Sequence, residues 1–317
     1  MIPCQDGRDR VIPREGARRT PIGEEMADWQ IRPALPDDLA AAFAIFHEYE
    51  YHDNPTPPPL VVPDFLVHVA RTGRVLVAAD GARIVGYAGA ITRGEVTFLT
   101  DLFVRPAAQS GAIGRALLAA ILPATGVRST CSTADPRALS LYMRAGMRLW
   151  WPQLALYGAA RSPDRLVAQG VEVGVTRADD PALIAWEAEI GGRPRPEDFA
   201  YWAAYGAAAL WFRRDGATLG YAIARAHGGT VQHPDAGTIG PLGVLRAEDA
   251  TACTLAALGW LRARTDSLCL MVPGPHPALA ALLDAGLRIE DAYNFATSGE
   301  APFYDPRRYI SSGPDLF

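Results

Sequence analysis

Lysine is absent from this chain of 317 residues, and all 30 of its basic residues are arginine. Together with abundant alanine, this composition is typical of a GC-rich genome. The arginines are outnumbered by 35 acidic residues, which gives the chain a formal net charge of −5. A general nucleic-acid binder needs a basic surface, so the net charge argues against that class and we expect no nucleic-acid partner. No apolar run approaches the roughly 20 residues that a membrane-spanning helix requires, so we expect no membrane partner.

Cysteine is scarce and scattered. The chain has four cysteines (Cys4, Cys131, Cys253 and Cys269), and no two of them form a C-x-x-C pair. Residues 1–25 lack the apolar segment of a secretory signal, so we expect a reduced, cytoplasmic protein. The histidines show no recognised ligand spacing, and we therefore expect no metal. Neither a G-x-S-x-G nucleophile elbow nor a Walker phosphate-binding loop is present.

Length and hydrophobic content predict two domains. Hydrophobic residues make up 49% of the sequence, and its length matches two domains of roughly 150 residues each. Residues 1–27 are rich in Arg, Pro and Gly and lack a periodic pattern, which predicts a disordered tail. We expect domains at 28–160 and 170–300, a polar linker between them, and a C-terminal tail at 301–317.

The most informative segment is 102–118, where a strand-like run, a short glycine-containing turn and an amphipathic helix follow one another. Gln109, Gly111 and Gly114 lie in or beside the turn. Such a junction directs several backbone N–H groups to one spot, at the positive end of the helix dipole. It is a natural site for a phosphate or pyrophosphate.

A second informative segment, 135–147, lies downstream. Together the two segments resemble the paired signatures of the GNAT acyltransferase superfamily. The first signature is a strand ending in V-x-P followed by (R/Q)-x-x-G-x-(G/A), and the second is N-x-x-A-x-x-L-Y-x-x-x-G-F. The residues that match are Val104, Pro106, Gln109, Ile113, Gly114, Ala138, Leu141, Tyr142 and Gly146.

Three positions depart from these signatures. Ala112 occupies the place of the first glycine, Asp135 replaces the usual asparagine, and Met147 replaces the usual phenylalanine. A methyl group at Ala112 would crowd the backbone approach to a pyrophosphate. These departures keep a second interpretation open, that of a catalytically silent module that binds acyl-CoA or another protein.

The resemblance implies an α/β fold with a mixed α+β sheet, acetyl-CoA as co-substrate, and a primary amine of a small molecule or peptide as acceptor. It also implies direct attack on the thioester, without a covalent intermediate. Tyr142 would be the general acid toward the leaving thiolate. The implied cofactor-binding residues are Leu102, Phe103, Val104, Gln109, Ser110, Gly111, Ala112, Ile113, Gly114, Arg115 and Asp135.

The general base is open between two carboxylates. Strand alternation places Glu95, Thr97, Leu99 and Asp101 on one face of the predicted central strand. Either Glu95 or Asp101 could then receive the proton, directly or through water. A water chain alone and His52 are further alternatives.

The segment after the first predicted helix is acidic and aromatic, which suits a cationic amine. Its candidate substrate-binding residues are Glu50, Tyr51, His52 and Asp53. It leads into the proline-rich run 55–59, which predicts a stiff lid or spacer. A solvated loop without a binding role is the alternative.

The chain also contains an internal repeat. Segment 138–149 recurs as 278–289, segment 80–87 as 215–221, and segment 102–104 as 242–244. Repeats in the same order predict two tandem GNAT-like domains. In the second copy Leu282 stands opposite Tyr142, and a segment beginning with Asp249 replaces the glycine-containing loop. We expect this copy to be degenerate, with a structural or substrate-shaping role.

An N-acyltransferase is therefore the function that the sequence predicts. An aminoacyl-tRNA-dependent transferase on the same duplicated fold is disfavoured by the negative charge. For the C-terminal residues we expect docking on the domain surface, or disorder, rather than insertion of the terminal carboxylate into the active site. The oligomeric state stays open.

Overall fold

A computed structural model of the protein describes residues 29–109, 112–159, 170–313 and 316–317; the predicted tail at 1–27 lies outside them. The first copy consists of β1 (Trp29–Pro33), α1 (Asp38–Glu50), α2 (Asp64–Thr72), β2 (Arg74–Asp80), β3 (Arg83–Arg93), β4 (Val96–Val104), α3 (Ile113–Ile121), β5 (Val127–Ser132), α4 (Pro136–Arg144) and β6 (Arg148–Gly158). The second consists of β7 (Glu172–Arg177), α5 (Pro181–Ile190), α6 (Pro196–Ala204), β8 (Ala208–Arg214), β9 (Ala217–Arg225), β10 (Gly237–Val244), α7 (Ala250–Arg262), β11 (Leu268–Pro273), α8 (Leu279–Asp284) and β12 (Arg288–Thr297). A short strand, β13 (Tyr309–Ile310), follows.

The second copy repeats the element order of the first, so the predicted duplication and the mixed α/β class are confirmed. The prediction missed α2 and α6. Each of these helices has only nine residues. Length alone does not explain this, since α3 and α4 also have nine residues. Unlike α3 and α4, the helices α2 and α6 lie outside both signatures and outside the repeated segments.

Alternation along the strands gives the first copy two buried faces. In β2, Val75 and Val77 belong to the core beneath α1 and α2, whereas Leu76 and Ala78 belong to the core beneath α3. Successive side chains of a strand point to opposite faces, so a strand covered on both sides is apolar at every position. The core beneath α1 and α2 continues into the second copy, where it includes Trp202.

The two sheets merge because the last strand of each copy completes the sheet of the other. β12 pairs with β5 of the first copy, and β6 pairs with β11 of the second. β6 and β12 also pair with each other, so one continuous sheet of 13 strands runs through the described part of the chain. The predicted boundaries at 28–160 and 170–300 separate the two repeats in sequence, but neither segment closes a sheet alone. The exchange keeps antiparallel pairing of equivalent strands, so side-chain patterns do not reveal it.

The C-terminal residues insert into the sheet of the second copy. β10 and β11 pair directly at only two positions, and β13 occupies the gap beyond them. Tyr309 of β13 pairs with Gly243, and Ser311 bridges to Met271. Phe317 is fully buried and stacks on Phe98 of the first copy. The expectation of surface docking or disorder for 301–317 is therefore wrong, because the separated strands offer backbone groups with which this segment pairs.

Candidate active site

β4 and β5 run side by side and then separate. Their parallel pairing ends at Leu99 and Thr130, although β4 continues to Val104 and β5 to Ser132. The opening holds a cavity of about 220 Å³, which we call the β4–β5 slot. An extended ligand can bind to exposed strand groups in such a gap as an added strand does.

A β-bulge at Thr100 decides which face of β4 carries Asp101. The register of β3 against β4 shifts by one residue at this point. Leu99 packs into the core beneath α3, whereas Asp101 meets Tyr87, whose ring belongs to the core beneath α1. The predicted alternation, which placed Leu99 and Asp101 on one face, is therefore interrupted by the extra residue of the bulge.

Asp101 is buried, at 7% exposure, and hydrogen-bonded through both oxygens. Its Oδ1 accepts from the Tyr87 hydroxyl at 3.0 Å and its Oδ2 from Thr100 Oγ1 at 2.7 Å. Burial raises the pKa of Asp101, although the two hydrogen bonds act in the opposite direction. A Cβ at Gly89 would come within 2.9 Å of Oδ2, so the glycine leaves room for the carboxyl group. Such a positioned carboxyl with an elevated pKa is suited to general-base chemistry.

Tyr142 of α4 lines the same slot and is 6% exposed. Burial raises the pKa of Tyr142, and the charges of Asp101 and Asp135 add to this effect. The phenol therefore stays protonated at neutral pH and can donate a proton. Asp135 begins the helix as its N-cap, with its side chain accepting from the Arg137 backbone N–H at 2.8 Å.

The N-terminus of α3 faces the end of β4. The predicted cofactor-binding residues Ile113, Gly114 and Arg115 form the first turn, in which helical N–H groups lack an intrahelical partner. No acidic residue lies in that turn. Ala112 at the N-cap has a φ of 60°, in the left-handed region that favours glycine.

Gln109 links the loop before α3 to β4 and α4. Its Nε2 donates to the Val104 carbonyl at 3.2 Å, and its Oε1 accepts from Arg137 at 2.7 Å. The hydrogen bond from Arg137 lowers the pKa of Asp135. All four of these residues line the slot. Sequence reasoning missed Arg137, whose only signal was its position in the second signature.

A second, larger cavity of about 890 Å³ lies between the two copies, and we call it the interdomain chamber. The residues that line both cavities are Glu50, Thr230, Val231, Gln232 and Tyr293. Residues 230–232 belong to the β9–β10 connection of the second copy. Gln232 donates to Glu50 at 2.7 Å, and the Tyr51 hydroxyl donates to the Val231 carbonyl at 3.3 Å. The second copy thus covers one end of the slot, a contact that no local sequence pattern signals.

Four predicted catalytic or substrate-binding residues line neither cavity: Glu95, Tyr51, His52 and Asp53. Glu95 is exposed in the turn before β4, on the order of 20 Å along the strand from Asp101, and lines neither cavity. His52 and Asp53 are exposed, pair with each other at 2.9 Å and line neither cavity. Outside the described residues lie two predicted cofactor-binding residues, Ser110 and Gly111.

The second copy lacks the groups found in the slot of the first. Its β10 has a register shift at the equivalent point, but Pro241 stands opposite Asp101 and Leu282 opposite Tyr142. Asp249, before α7, is buried and pairs with an arginine at 2.7 Å. β13 fills the gap that corresponds to the β4–β5 slot.

Two classes of feature are absent from the part of the chain that the structure describes. No group of three or more His, Cys, Asp or Glu side chains is arranged there to hold a metal ion. No helix among those residues has the length and apolar character needed to cross a membrane.

Comparisons with known proteins agree with this geometry. Residues 71–147 match the family described as "Acetyltransferase (GNAT) domain". No curated protein shows significant sequence similarity to the chain.

Solved structures with the same fold include tandem proteins. A protein from Pyrococcus horikoshii assigned as an acetyltransferase has a TM-score of 0.69 at 15% identity, over 96% of this chain and 100% of that one. A tandem GNAT protein from the clavulanic acid biosynthesis pathway has a TM-score of 0.57 at 16% identity, over 87% and 100%. A GCN5-related N-acetyltransferase from Sphaerobacter thermophilus has a TM-score of 0.56 at 17% identity, over 87% and 98%. Residues 71–147 of the first copy therefore match a GNAT acetyltransferase domain, and the chain as a whole shares its fold with solved structures that include a tandem GNAT protein.

Proposed function

We propose that this protein is an N-acyltransferase that moves an acetyl group from acetyl-CoA to a primary amine of a small molecule or peptide. One observation carries the proposal. Asp101 and Tyr142 line a single slot between separated strands, and that slot meets the interdomain chamber. A base and an acid thus flank the place where an activated thioester and an amine would meet.

In this proposal the cofactor lies along β4. The pantetheine arm pairs with backbone groups of Leu102, Phe103 and Val104, which continue beyond the last β4–β5 pair. The pyrophosphate lies at the N-terminus of α3, where unpaired N–H groups and the helix dipole favour an anion. Arg137 is close enough to the slot to add positive charge.

The acceptor amine approaches from the chamber and attacks the thioester carbonyl carbon. As the new C–N bond forms, the amine loses a proton to the Asp101 carboxylate. The C–S bond then breaks, and the leaving thiolate takes the Tyr142 phenolic proton. Solvent afterwards removes the proton from Asp101 and restores the one on Tyr142.

Cys131 lines the slot but is not suited to act as a nucleophile that would form an acyl-enzyme intermediate. Burial raises the pKa of the Cys131 thiol well above its usual range, so the reactive thiolate is not populated at neutral pH. This supports direct transfer between cofactor and amine.

The second copy has a supporting role in this proposal. Its slot is filled by β13 and lacks counterparts of Asp101 and Tyr142. We propose that it binds no acetyl-CoA and that its residues 230–232 close the acceptor side of the working copy.

Calorimetric titration of acetyl-CoA tests the proposal, with one site per chain as the expected result. Gly114→Glu should weaken binding, because it places a carboxylate in the turn assigned to the pyrophosphate. A Cβ at this position would make only ordinary van der Waals contacts, with no atom closer than 3.7 Å. Gly114→Gln is the matched control of equal size and should bind more tightly than the Glu variant.

Other outcomes discriminate between the interpretations. Absence of binding to the wild-type protein would contradict the acyltransferase proposal and favour a protein-interaction module. Two sites per chain would contradict the role assigned to the second copy. Binding without transfer to any amine would identify a silent acyl-CoA-binding protein.

A further inference from the structure

The interdomain chamber is large for an acceptor site, and its walls are mainly aromatic and acidic. Its volume of about 890 Å³ compares with about 220 Å³ for the slot. Cavities of about 300–1,000 Å³ are those that enclose drug-sized ligands. An amine of a few atoms would leave most of this space to water.

Aromatic rings form much of the chamber wall. They are Phe43, Phe65, Tyr157, Tyr201, Trp202, Tyr205 and Tyr293. Several are held by ring contacts: Tyr157 stacks on His233 with centroids 3.6 Å apart, and Tyr201 stacks on His68 at 4.4 Å. Rings fixed in this way offer preformed flat surfaces to an apolar or aromatic ligand and favourable faces to a cation.

The charge of the lining is predominantly negative. The acidic residues are Glu50, Asp64, Glu290 and Asp291, and Arg225 is the one arginine among the lining residues. Three histidines also line the chamber (His47, His227 and His233), and His233 pairs with Glu290 at 2.6 Å, so Glu50, Asp64 and Asp291 carry the negative charge of the wall. Arg225 also donates to the Ser312 carbonyl at 3.3 Å. A cationic amine is attracted to such a cavity, and a ligand that carries its own carboxylate is repelled.

Glu50 lies where the chamber meets the slot, so it attracts the ammonium group of a ligand toward the slot. An ammonium group beside Glu50 lies at the opening toward Asp101, with the ligand body extending back between the aromatic walls. Resting on the proposed function, we propose that the acceptor is a bulky apolar amine without a carboxylate, whose aromatic or alkyl body fills the interdomain chamber.

The test compares amines that differ in one property at a time, at saturating acetyl-CoA. Tryptamine has the proposed character, tryptophan adds a carboxylate, ethanolamine lacks the body, and spermidine and glucosamine are polar. We expect kcat/KM for tryptamine to exceed each of the others by at least about tenfold, as the loss of aromatic contacts or the addition of a repelled charge predicts. Equal or better turnover of ethanolamine, glucosamine, spermidine or tryptophan would overturn the proposal.

A chamber variant locates the effect. Tyr205→Ala removes a wall residue that is 56% exposed, so the fold tolerates the change. It should raise KM for tryptamine several-fold and leave KM for ethanolamine unchanged. Trp150→Ala, at an aromatic residue that is 40% exposed and outside both cavities, is the control and should change neither value. An unchanged KM for tryptamine in Tyr205→Ala would contradict binding in the chamber.

Calorimetry with tryptamine, in the presence of CoA, keeps the two proposals separable. Binding without acetylation supports the ligand class and contradicts the proposed function. Acetylation of polar amines without tryptamine binding supports the proposed function and overturns the ligand class.

Discussion

At the scale of single residues, the proposed mechanism gives opposite roles to two buried acidic groups of the slot, Asp101 as base and Tyr142 as acid. Burial raises the pKa of both Asp101 and Tyr142. In the proposed mechanism, the higher pKa of Asp101 brings the proton affinity of its carboxylate closer to that of the attacking amine, so Asp101 becomes a better base. For the phenol, burial keeps the proton in place until a thiolate appears.

Tyr142→Phe removes the hydroxyl of the proposed general acid and keeps its aromatic ring. We expect kcat to fall by about 10²-fold or more, the usual contribution of a positioned general acid, with little change in acetyl-CoA affinity. Steady-state kinetics and calorimetry measure the two quantities. Tyr49→Phe, at another tyrosine of the slot, is the matched control. Equal turnover in Tyr142→Phe would remove this residue from the mechanism.

Asp101→Asn tests the base through the pH dependence of kcat/KM. A base works in its deprotonated form, so activity should rise as pH rises through the pKa of Asp101. Because burial raises that pKa, the acidic limb should lie above the ordinary carboxyl range. The variant should lose the limb and be slower throughout, whereas Asp53→Asn, at an exposed carboxylate outside both cavities, should keep the wild-type profile. A limb retained in Asp101→Asn would assign the base to another group.

At the scale of elements, α3 begins under backbone strain. Ala112 adopts a φ of 60°, and a left-handed conformation costs a non-glycine residue about 1–2 kcal/mol. Ala112→Gly should stabilise the fold, by at most about 1 kcal/mol once the greater freedom of unfolded glycine is included. Urea unfolding measures this. Ala108→Gly, at a residue without a positive φ in the preceding turn, should destabilise instead.

The same variant examines the loop as a phosphate site. Ala112 is exposed and already holds the conformation that glycine would adopt, so we expect the Kd for acetyl-CoA to be unchanged. A large gain in affinity would show that the methyl group crowds the pyrophosphate and that the site is eroded.

At the scale of the whole molecule, a buried ionic cluster joins the two copies. Asp198 of the second copy accepts from His68 at 2.7 Å and from Arg93 at 2.6 Å, both of the first copy. Burial alone would raise the pKa of Asp198, but the hydrogen bonds from His68 and Arg93 and the charges of Arg195 and Arg93 lower it to about 2. The cluster therefore holds the relative position of the copies, and with it the shape of the chamber.

Asp198→Asn should cost about 3–5 kcal/mol of unfolding free energy, because it leaves the buried Arg93 with only the longer pair to the half-exposed Glu197 at 3.7 Å. The pKa of Asp198 in the folded state, about 2, lies below the usual 3.8 of the unfolded state. The stability that the ionised Asp198 contributes is therefore complete above pH 3.8 and is lost as the pH falls toward 2. Urea unfolding across this range should show a smaller pH dependence in the variant. Asp179→Asn, in an exposed pair with Arg177, is the control and should leave stability within error.

Several features of fold and site followed from sequence because they are local or repeat along the chain. The strand–turn–helix junction before Gly114 and the duplication both depend on residue types at fixed spacing. Tyr142 was identifiable for the same reason, through its place in the second signature. Asp101 was a candidate, but the reason given for it was wrong, since alternation along β4 does not survive the bulge at Thr100.

By itself, the sequence therefore determined the fold class, the duplication and the copy that carries the candidate site. Tertiary structure decided the exchange of β6 and β12, the insertion of β13, the exclusion of Glu95, and the contact of residues 230–232 with Glu50. These contacts join residues that are far apart in the chain. The backbone groups of β6, β12 and β13 could pair equally well with the edges of several other strands. Only the packing of the complete molecule selects among such partners, because it alone brings the charges, rings and strand edges of both copies together.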